Sequence, residues 1–321
     1  MKILIVQNKK GIGDLVIYLP YIEAIAKKFA TKIYLLAKEN SKATELMKNN
    51  KNIKEIIILD RDNKNNNGVH DGLTGTFSLV KKIKSYKFDK VFIFNSSLRF
   101  NLIAKLSKIP IIFQYPLFKK TNQHIINTAK NFIKTNLDLQ VDEDPKIQIS
   151  LKSISEAIEK YKIDENNLNV LLGIGGSGPT KRIPAETFLK VMEKIVDQKK
   201  CHFFLATGKD KDEQIILNQI LESKFKKLCT SLDSLSIKDT LPIIKKCTFA
   251  ICNDTGFGHL SAALNIKTIM LMADAPLMYG NYSSKMFPII PDGEKTVSHS
   301  TRGKDKINPS KIYQKIQEIL D

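Results

Sequence analysis

Short β-branched and aliphatic runs alternate with longer stretches of helical spacing along the chain, the rhythm of βα units built around parallel sheets. In the first half the strand candidates are Lys2 to Val6, Lys32 to Leu36, Glu55 to Leu59, Lys90 to Phe94 and Ile109 to Phe113. Helical spacing runs through Leu15 to Phe29, Lys42 to Lys48, Thr76 to Tyr86 and Asn101 to Leu106, and Arg61 to Gly75 reads as a long polar loop. The rhythm breaks between Asp138 and Asn167, where VDEDPK and KIDENN interrupt it around a short helix candidate, Ser153 to Tyr161. It restarts with strands at Asn169 to Gly173, His202 to Ala206, Phe249 to Cys252 and Thr268 to Met272. The matching helices are Pro184 to Val196, Asp212 to Glu222, Ile237 to Lys245 and Gly258 to Leu264, with Pro309 to Leu320 closing the chain. The 321 residues exceed what one hydrophobic core usually serves. The pattern therefore predicts an α/β protein with two doubly wound domains, residues 1–145 and 146–305, and a C-terminal helix within 306–321.

Charge changes the picture only in part. The chain carries 51 Lys and Arg against 33 Asp and Glu, a formal +18, which favours phosphates, anionic lipid or nucleic acid. The lysines are scattered, however, and Lys, Ile and Asn are abundant together, as AT-rich codons would produce; the charge permits such partners without selecting one. With no Trp and 8% aromatic residues, a stacking platform for single-stranded nucleic acid is not expected. The opening run MKILIVQN is too short for a signal-peptide core, and no stretch approaches the roughly 20 apolar residues of a membrane span, so the expectation is a cytoplasmic protein. Cys201, Cys229, Cys247 and Cys252 lack metal-ligand or C-x-x-C spacing and read as reduced, mostly buried thiols, with no metal site expected.

Three loops carry candidate chemistry. The first, Lys9-Lys10-Gly11-Ile12-Gly13-Asp14, follows the first strand; Gly11 and Gly13 would permit a sharp turn, and Asp14 falls in the first turn of the next helix. Asp14 alternatively does no more than cap that helix. The second runs from Gly173 to Pro184, where backbone amides, the hydroxyls of Ser177 and Thr180, and the cations of Lys181 and Arg182 are what a diphosphate needs around it. Gly173, Gly175 and Gly178 fit G-x-G-x-x-G literally, so a dinucleotide-dependent oxidoreductase is a competing reading; Pro179 and Pro184 displace the helix start from where that fingerprint requires it. In the third, Asn253-Asp254-Thr255-Gly256-Phe257-Gly258-His259, a strand end runs straight into a helix, offering free amides, a hydroxyl and a histidine to an anion. Asp60-Arg61-Asp62 has the form of a metal-holding D-x-D but opens an Asn-rich loop, and His70, His202 and His299 lack spacing partners. A basic non-catalytic nucleic-acid binder is a further alternative, though it leaves the three loops without a purpose.

Together the three blocks resemble glycosyltransferase family 9, the bacterial ADP-heptose:lipopolysaccharide heptosyltransferases. GIGDLVIYLP is similar to the family's G-D-x(5)-P opening, TKRIPAETF to its K-x-W-P helix start with Ile183 in place of the tryptophan, and NDTGFGHLSAAL to its D-T-G-x-x-H-L-x-A-A-L segment. The resemblance implies a GT-B fold, two Rossmann-like domains facing across a cleft, the acceptor on the N-terminal one and the nucleotide-sugar on the C-terminal one. It places the catalytic base at Asp14, with Gly11 and Gly13 beside it, and a phosphate-contacting lysine at Lys181. The donor-binding turn falls on Asp254, Thr255, Gly256 and His259, and an acidic ribose contact on Asp212 or Glu213. It implies an inverting, metal-independent transfer without a cofactor, from a nucleotide-sugar such as ADP-heptose to a glycan or lipid-linked acceptor. No nucleic acid is involved, and the basic surface would suit the anionic inner membrane.

Overall fold

The strand candidates are unbroken apolar runs because each strand of a parallel sheet is covered on both faces. In the computed structural model, which describes residues 1–62, 67–117 and 124–320, they assemble into two parallel sheets. The chain divides into two compact units, Met1–Pro145 and Lys146–Asp321.

In the first unit β1 (Ile3–Gln7), β2 (Ile33–Ala37), β3 (Ile53–Ile58), β4 (Lys90–Ile93) and β5 (Ile111–Gln114) lie in the order β3-β2-β1-β4-β5. The helices are α1 (Ile12–Lys28), the single turn α2 (Ala43–Leu46), α3 (Gly72–Tyr86), α4 (Leu98–Leu106) and α5 (Ile125–Leu137). Leu4, Val6 and Leu36 of the sheet pack against Leu79 and Ile83 of α3 and Phe100 and Ile103 of α4. Elsewhere in the unit Tyr18, Phe92, Phe94 and Phe132 form edge-to-face and tilted aromatic contacts. The helix α5 was not among the helices expected from the sequence, although it follows β5, which matches the strand candidate Ile109 to Phe113. Its buried Thr128, Ala129, Phe132, Ile133 and Leu137 nevertheless follow helical spacing. Of the polar loop after β3, residues 63–66 lie outside the described residues.

The second unit opens with α6 (Leu151–Tyr161) and continues β6 (Leu168–Gly173), α7 (Ala185–Val196), β7 (Cys201–Ala206), α8 (Lys211–Leu221) and β8 (Cys229–Ser231). It ends α9 (Ile237–Lys245), β9 (Phe249–Asn253), α10 (Gly256–Ala263), β10 (Lys267–Leu271), β11 (Met286–Ile289) and α11 (Pro309–Leu320). The order is β11-β10-β9-β6-β7-β8. The two strands not anticipated, β8 and β11, are the short edges; Pro288 lies inside β11 and is tolerated because an edge strand need not donate to a neighbour on its outer side. The closing helix belongs to this core, with Ile312, Ile316 and Ile319 at helical spacing buried beside Phe188 and Val191 of α7.

Strand order reverses between β1 and β4 in the first sheet and between β6 and β9 in the second, the positions where open α/β sheets hold ligands beyond their carboxyl ends. The loops after β1, β6 and β9 are the three that carry candidate chemistry. Among the described residues no helix is long and apolar enough to cross a membrane.

Truncating the buried Ile316 to Ala leaves a cavity between α11 and the sheet and is expected to lower unfolding free energy by about 2–5 kcal/mol, measured by urea denaturation. A change within experimental error would show that α11 is not part of the core.

Candidate active site

The site of the second unit is set by strand register. β6 and β9 pair in parallel with Gly173 opposite Cys252, so the loops that leave them start side by side. Across the other edge Gly173 pairs with Ala206, which brings the head of α8 to the same place. Gly173 has no side chain because a Cβ there would meet Cys252 Sγ at 2.6 Å.

Lys181, in a 3-10 turn at Pro179–Lys181, reaches across to form an ion pair with Asp254 Oδ2. The other oxygen of that carboxylate, Oδ1, lies 3.9 Å from His259 Nε2, and His259 Nδ1 is hydrogen-bonded to the Tyr282 hydroxyl at 2.6 Å, the two rings stacked with centroids 5.5 Å apart. Burial alone would push the Asp254 carboxyl up; the nearby His259 ring and the Lys181 ammonium more than offset it and hold it down at about 2. Thr255 is the N-cap of α10, yet its hydroxyl makes no capping bond; the buried Thr255 Oγ1 has no partner among the described residues, and the same holds for Asn253 Oδ1 and Thr207 Oγ1 at this edge. The Asn253 amide donates to the carbonyls of Ile174 and Gly175, at 2.8 and 3.0 Å, and so ties the glycine loop to the end of β9.

Arg182 is otherwise engaged. Its Nε donates to the Gly176 carbonyl at 2.9 Å, and its two terminal nitrogens lie 3.0 Å from Asp210 and Asp212, so it clamps the glycine loop to the first turn of α8. Glu213 lies buried beneath that loop, accepting from Gly176 N at 2.6 Å. A Cβ on Gly175 would meet its Oε1 at 2.5 Å. Thr180 donates to the buried Asp274, which also accepts from the backbone amide of Arg302 at 2.7 Å; burial pushes the Asp274 carboxyl up, and these bonds together with the Arg302 and Lys181 charges more than offset it and hold it below its ordinary range. Ser177 is exposed. Gly256 opens α10, as expected.

In the first unit, Asp14 lies half-buried in the first turn of α1, where its Oδ2 accepts from Gly11 N at 3.2 Å. The capping role foreseen for it is therefore present. Gly11 is extended, with φ −82°, so the passage from β1 into α1 uses no left-handed glycine; the glycines with positive φ among the described residues are Gly72 and Gly293. Space explains the residue better, since a Cβ at Gly11 would stand 3.1 Å from Asp14 Oδ2. The same edge holds buried polar atoms without a partner among the described residues, Gln7 Nε2, Asn95 Nδ2 and Arg99 Nε, and the buried Lys38 after β2. Desolvation pushes the Lys38 ammonium down, and Lys10 and Arg61 press it the same way.

Asp60-Arg61-Asp62 is drawn into turn structure. Asp71, itself buried, accepts from Arg61 Nε at 3.0 Å, Asp62 N at 2.7 Å and Gly68 N at 3.0 Å, while Asp60 Oδ2 accepts from Val69 N at 3.2 Å. His70 Nδ1 accepts from Asp60 N, and His202 bonds Thr230 across β7 and β8. The four cysteines are unpaired; burial raises Cys201 to about 11 and Cys229 and Cys252 to about 12, and raises Cys247 as well, which keeps all four as thiols. Sequence reasoning passed over Lys38, Arg99, Thr207, Asp274 and Tyr282. A strand-end position was the available signal for Lys38, Thr207 and Asp274; nothing local marks Tyr282, which meets His259 only through the fold.

A family model for glycosyltransferase family 9 (heptosyltransferase) matches residues 76–307, the span holding the Lys181, Asp254 and His259 constellation. The chain belongs to glycosyltransferase family 9. As a member of that family it is a glycosyltransferase. Lipooligosaccharide heptosyltransferase 2 of Campylobacter jejuni subsp. jejuni serotype O:6 is 26% identical over 328 residues, covering 96% of each chain. A family 9 glycosyltransferase of Veillonella parvula has a solved structure with TM-score 0.80 and 18% identity, covering 99% of this chain and 97% of its own. The structure of E. coli ADP-heptose lps heptosyltransferase II gives TM-score 0.76 at 17% identity, covering 100% and 98%. These likenesses show the GT-B fold, two parallel αβ sheets, for this family 9 chain.

The depressed Asp254 carboxyl adds stability at pH above its ordinary 3.8, and that share is lost as the pH falls through about 2. Holding this carboxyl at about 2 instead of 3.8 corresponds to about 2 kcal/mol. Asp254→Asn is expected to remove this part of the acid limb; chemical denaturation from neutral pH down to pH about 2 would show equal slopes for both proteins if the ion pair were unimportant.

Proposed function

We propose that this glycosyltransferase moves a heptose from ADP-heptose onto a lipooligosaccharide or lipopolysaccharide core acceptor, with inversion and without a bound metal. The names of the Campylobacter and E. coli relatives supply the donor and the acceptor class. The observation that carries the reading is the buried Lys181–Asp254–His259 constellation at the head of α10, beside the unpartnered Thr255 hydroxyl. A cation with donors to spare, free amides at a helix start and an unsatisfied hydroxyl are a binding place for a diphosphate.

In the proposed reaction the acceptor hydroxyl oxygen attacks the anomeric carbon from the face opposite the diphosphate. Its proton passes to the Asp14 carboxylate as the carbon–oxygen bond to the β-phosphate breaks. The departing electron pair stays on ADP, where Lys181 and the amides at Gly256 stabilise it. Asp254 and His259 hold Lys181 in place, and the ribose contact falls to Asp212 or Glu213. Lys10, Lys38, Arg61 and Arg99 favour an acceptor bearing anionic groups.

Incubation with ADP-heptose and a lipooligosaccharide core should release ADP and yield a glycan whose new linkage has the opposite anomeric configuration by NMR; absence of transfer to any core acceptor would remove the substrate assignment. Asp14→Asn should reduce turnover by about 10²–10⁴-fold while leaving ADP-heptose affinity within a few-fold. Lys181→Ala should weaken ADP-heptose binding about tenfold or more in calorimetry. Turnover in excess EDTA should be unchanged, and inhibition reversed by magnesium would overturn the metal-independent mechanism.

A further inference from the structure

A few residues other than glycine take a left-handed backbone among the described residues, and all but one lie within two positions of the end of a helix or 3-10 turn, as Lys87 does after α3 and Asn265 after α10. There the conformation closes the last turn. Arg302, with φ +50°, is the exception. It follows the turn Ser298–Thr301, in which Thr301 N donates to the Ser298 carbonyl at 3.3 Å and Thr301 Oγ1 accepts from Ser298 N at 2.8 Å. The Cβ of an arginine strains this region, and strain of this kind is kept where a side chain serves a purpose. The next position holds a glycine for a different reason: Gly303 has φ −92°, and a Cβ there would meet Pro291 Cγ at 2.2 Å. The chain thus keeps a long cationic side chain where glycine would sit more easily.

The strained position is fastened to the candidate site. Arg302 N donates to Asp274 Oδ1 at 2.7 Å and Gly303 N to the Ala273 carbonyl at 2.9 Å, so two successive amides hold the segment just beyond the carboxyl end of β10. Asp274 also accepts from Thr180, the residue before Lys181. One buried carboxylate therefore ties the backbone of Arg302 to the turn that carries Lys181. The Arg302 and Lys181 charges both press the Asp274 carboxyl down, so guanidinium and ammonium stand around the same group. Lys181 is engaged by Asp254, whereas Arg302 is exposed and its guanidinium has no ion-pair partner among the described residues. Its planar fork of donors is left to an anion, and a diphosphate beside Lys181 presents oxygens that such a fork takes in pairs.

We infer that Arg302 is a second cation of the donor site, contacting the diphosphate of the nucleotide-sugar beside Lys181. The inference rests on the diphosphate reading of this site, and the test keeps the two apart: ADP is titrated by calorimetry, at low and at high salt, into the full chain and three variants. Arg302→Gly accepts the left-handed backbone freely, while Arg302→Gln and Arg302→Lys share the arginine's backbone requirement and differ from each other in charge. Arg302→Gly and Arg302→Gln should lower ADP affinity about tenfold at low salt, with the gap to the native chain narrowing as salt rises. Arg302→Lys should lose less, because it keeps the charge but not the paired donors. All three should keep the thermal midpoint, since the side chain is exposed and Asp274 bonds the backbone amide. An affinity within about twofold of the native one in Arg302→Gly or Arg302→Gln is what a merely solvated charge would give, and it overturns the inference. Equal losses in Arg302→Gln and Arg302→Lys do the same, and either result leaves the diphosphate reading standing. A native chain that binds no ADP overturns both.

Discussion

The parallel register of β6 against β9 is the constraint from which the candidate site follows. With Gly173 fixed opposite Cys252, the loops after the two strands have no freedom to separate, and Lys181 meets Asp254 although the two stand 73 positions apart. That ion pair is mostly hidden from water, which makes it expensive to form and more expensive to break on one side only. Its geometry is supported from two directions. Asn253 ties the glycine loop to β9, and His259, itself held by Tyr282, approaches the second carboxylate oxygen. A constellation held this firmly is largely ordered in advance of any ligand.

Glycines at the sheet edges serve proximity. Gly11, Gly173 and Gly175 have no positive φ, yet a Cβ at each would crowd Asp14, Cys252 or Glu213. The literal G-x-G-x-x-G is thus met by residues chosen for different neighbours: Gly173 for β9, Gly175 for the buried Glu213, and Gly178 for no close neighbour at all. This is why a pattern of glycines could suggest a dinucleotide fingerprint without the fold using it as one. Arg182 shows the same gap between motif and role. Its place in a strand-to-helix loop fits phosphate contact, but Asp210, Asp212 and the Gly176 carbonyl take up its guanidinium.

The two units treat their exposed apolar surface differently. The second covers its sheet with helices whose outer faces are polar, and α11 completes its core. In the first, α3 and α4 bury Leu79, Ile83, Phe100 and Ile103 inward while presenting a second apolar row outward.

Repeating apolar runs and helical spacing made the α/β class legible in the sequence, because continuous apolar strands and 3.6-residue periodicity are local properties of burial. The blocks at Asp14, Lys181 and Asp254 were legible for the same reason, each being a strand end, a loop and a helix start contiguous in the chain. Local pattern could not reveal the edge strands β8 and β11, whose few residues acquire their identity from a neighbour. Tertiary structure alone decided that Lys181 pairs with Asp254, that Arg182 is bound to the head of α8, and that Tyr282 supports His259. Those outcomes depend on which strands lie adjacent and in what register, and hydrogen bonds between distant segments leave no periodicity in the sequence.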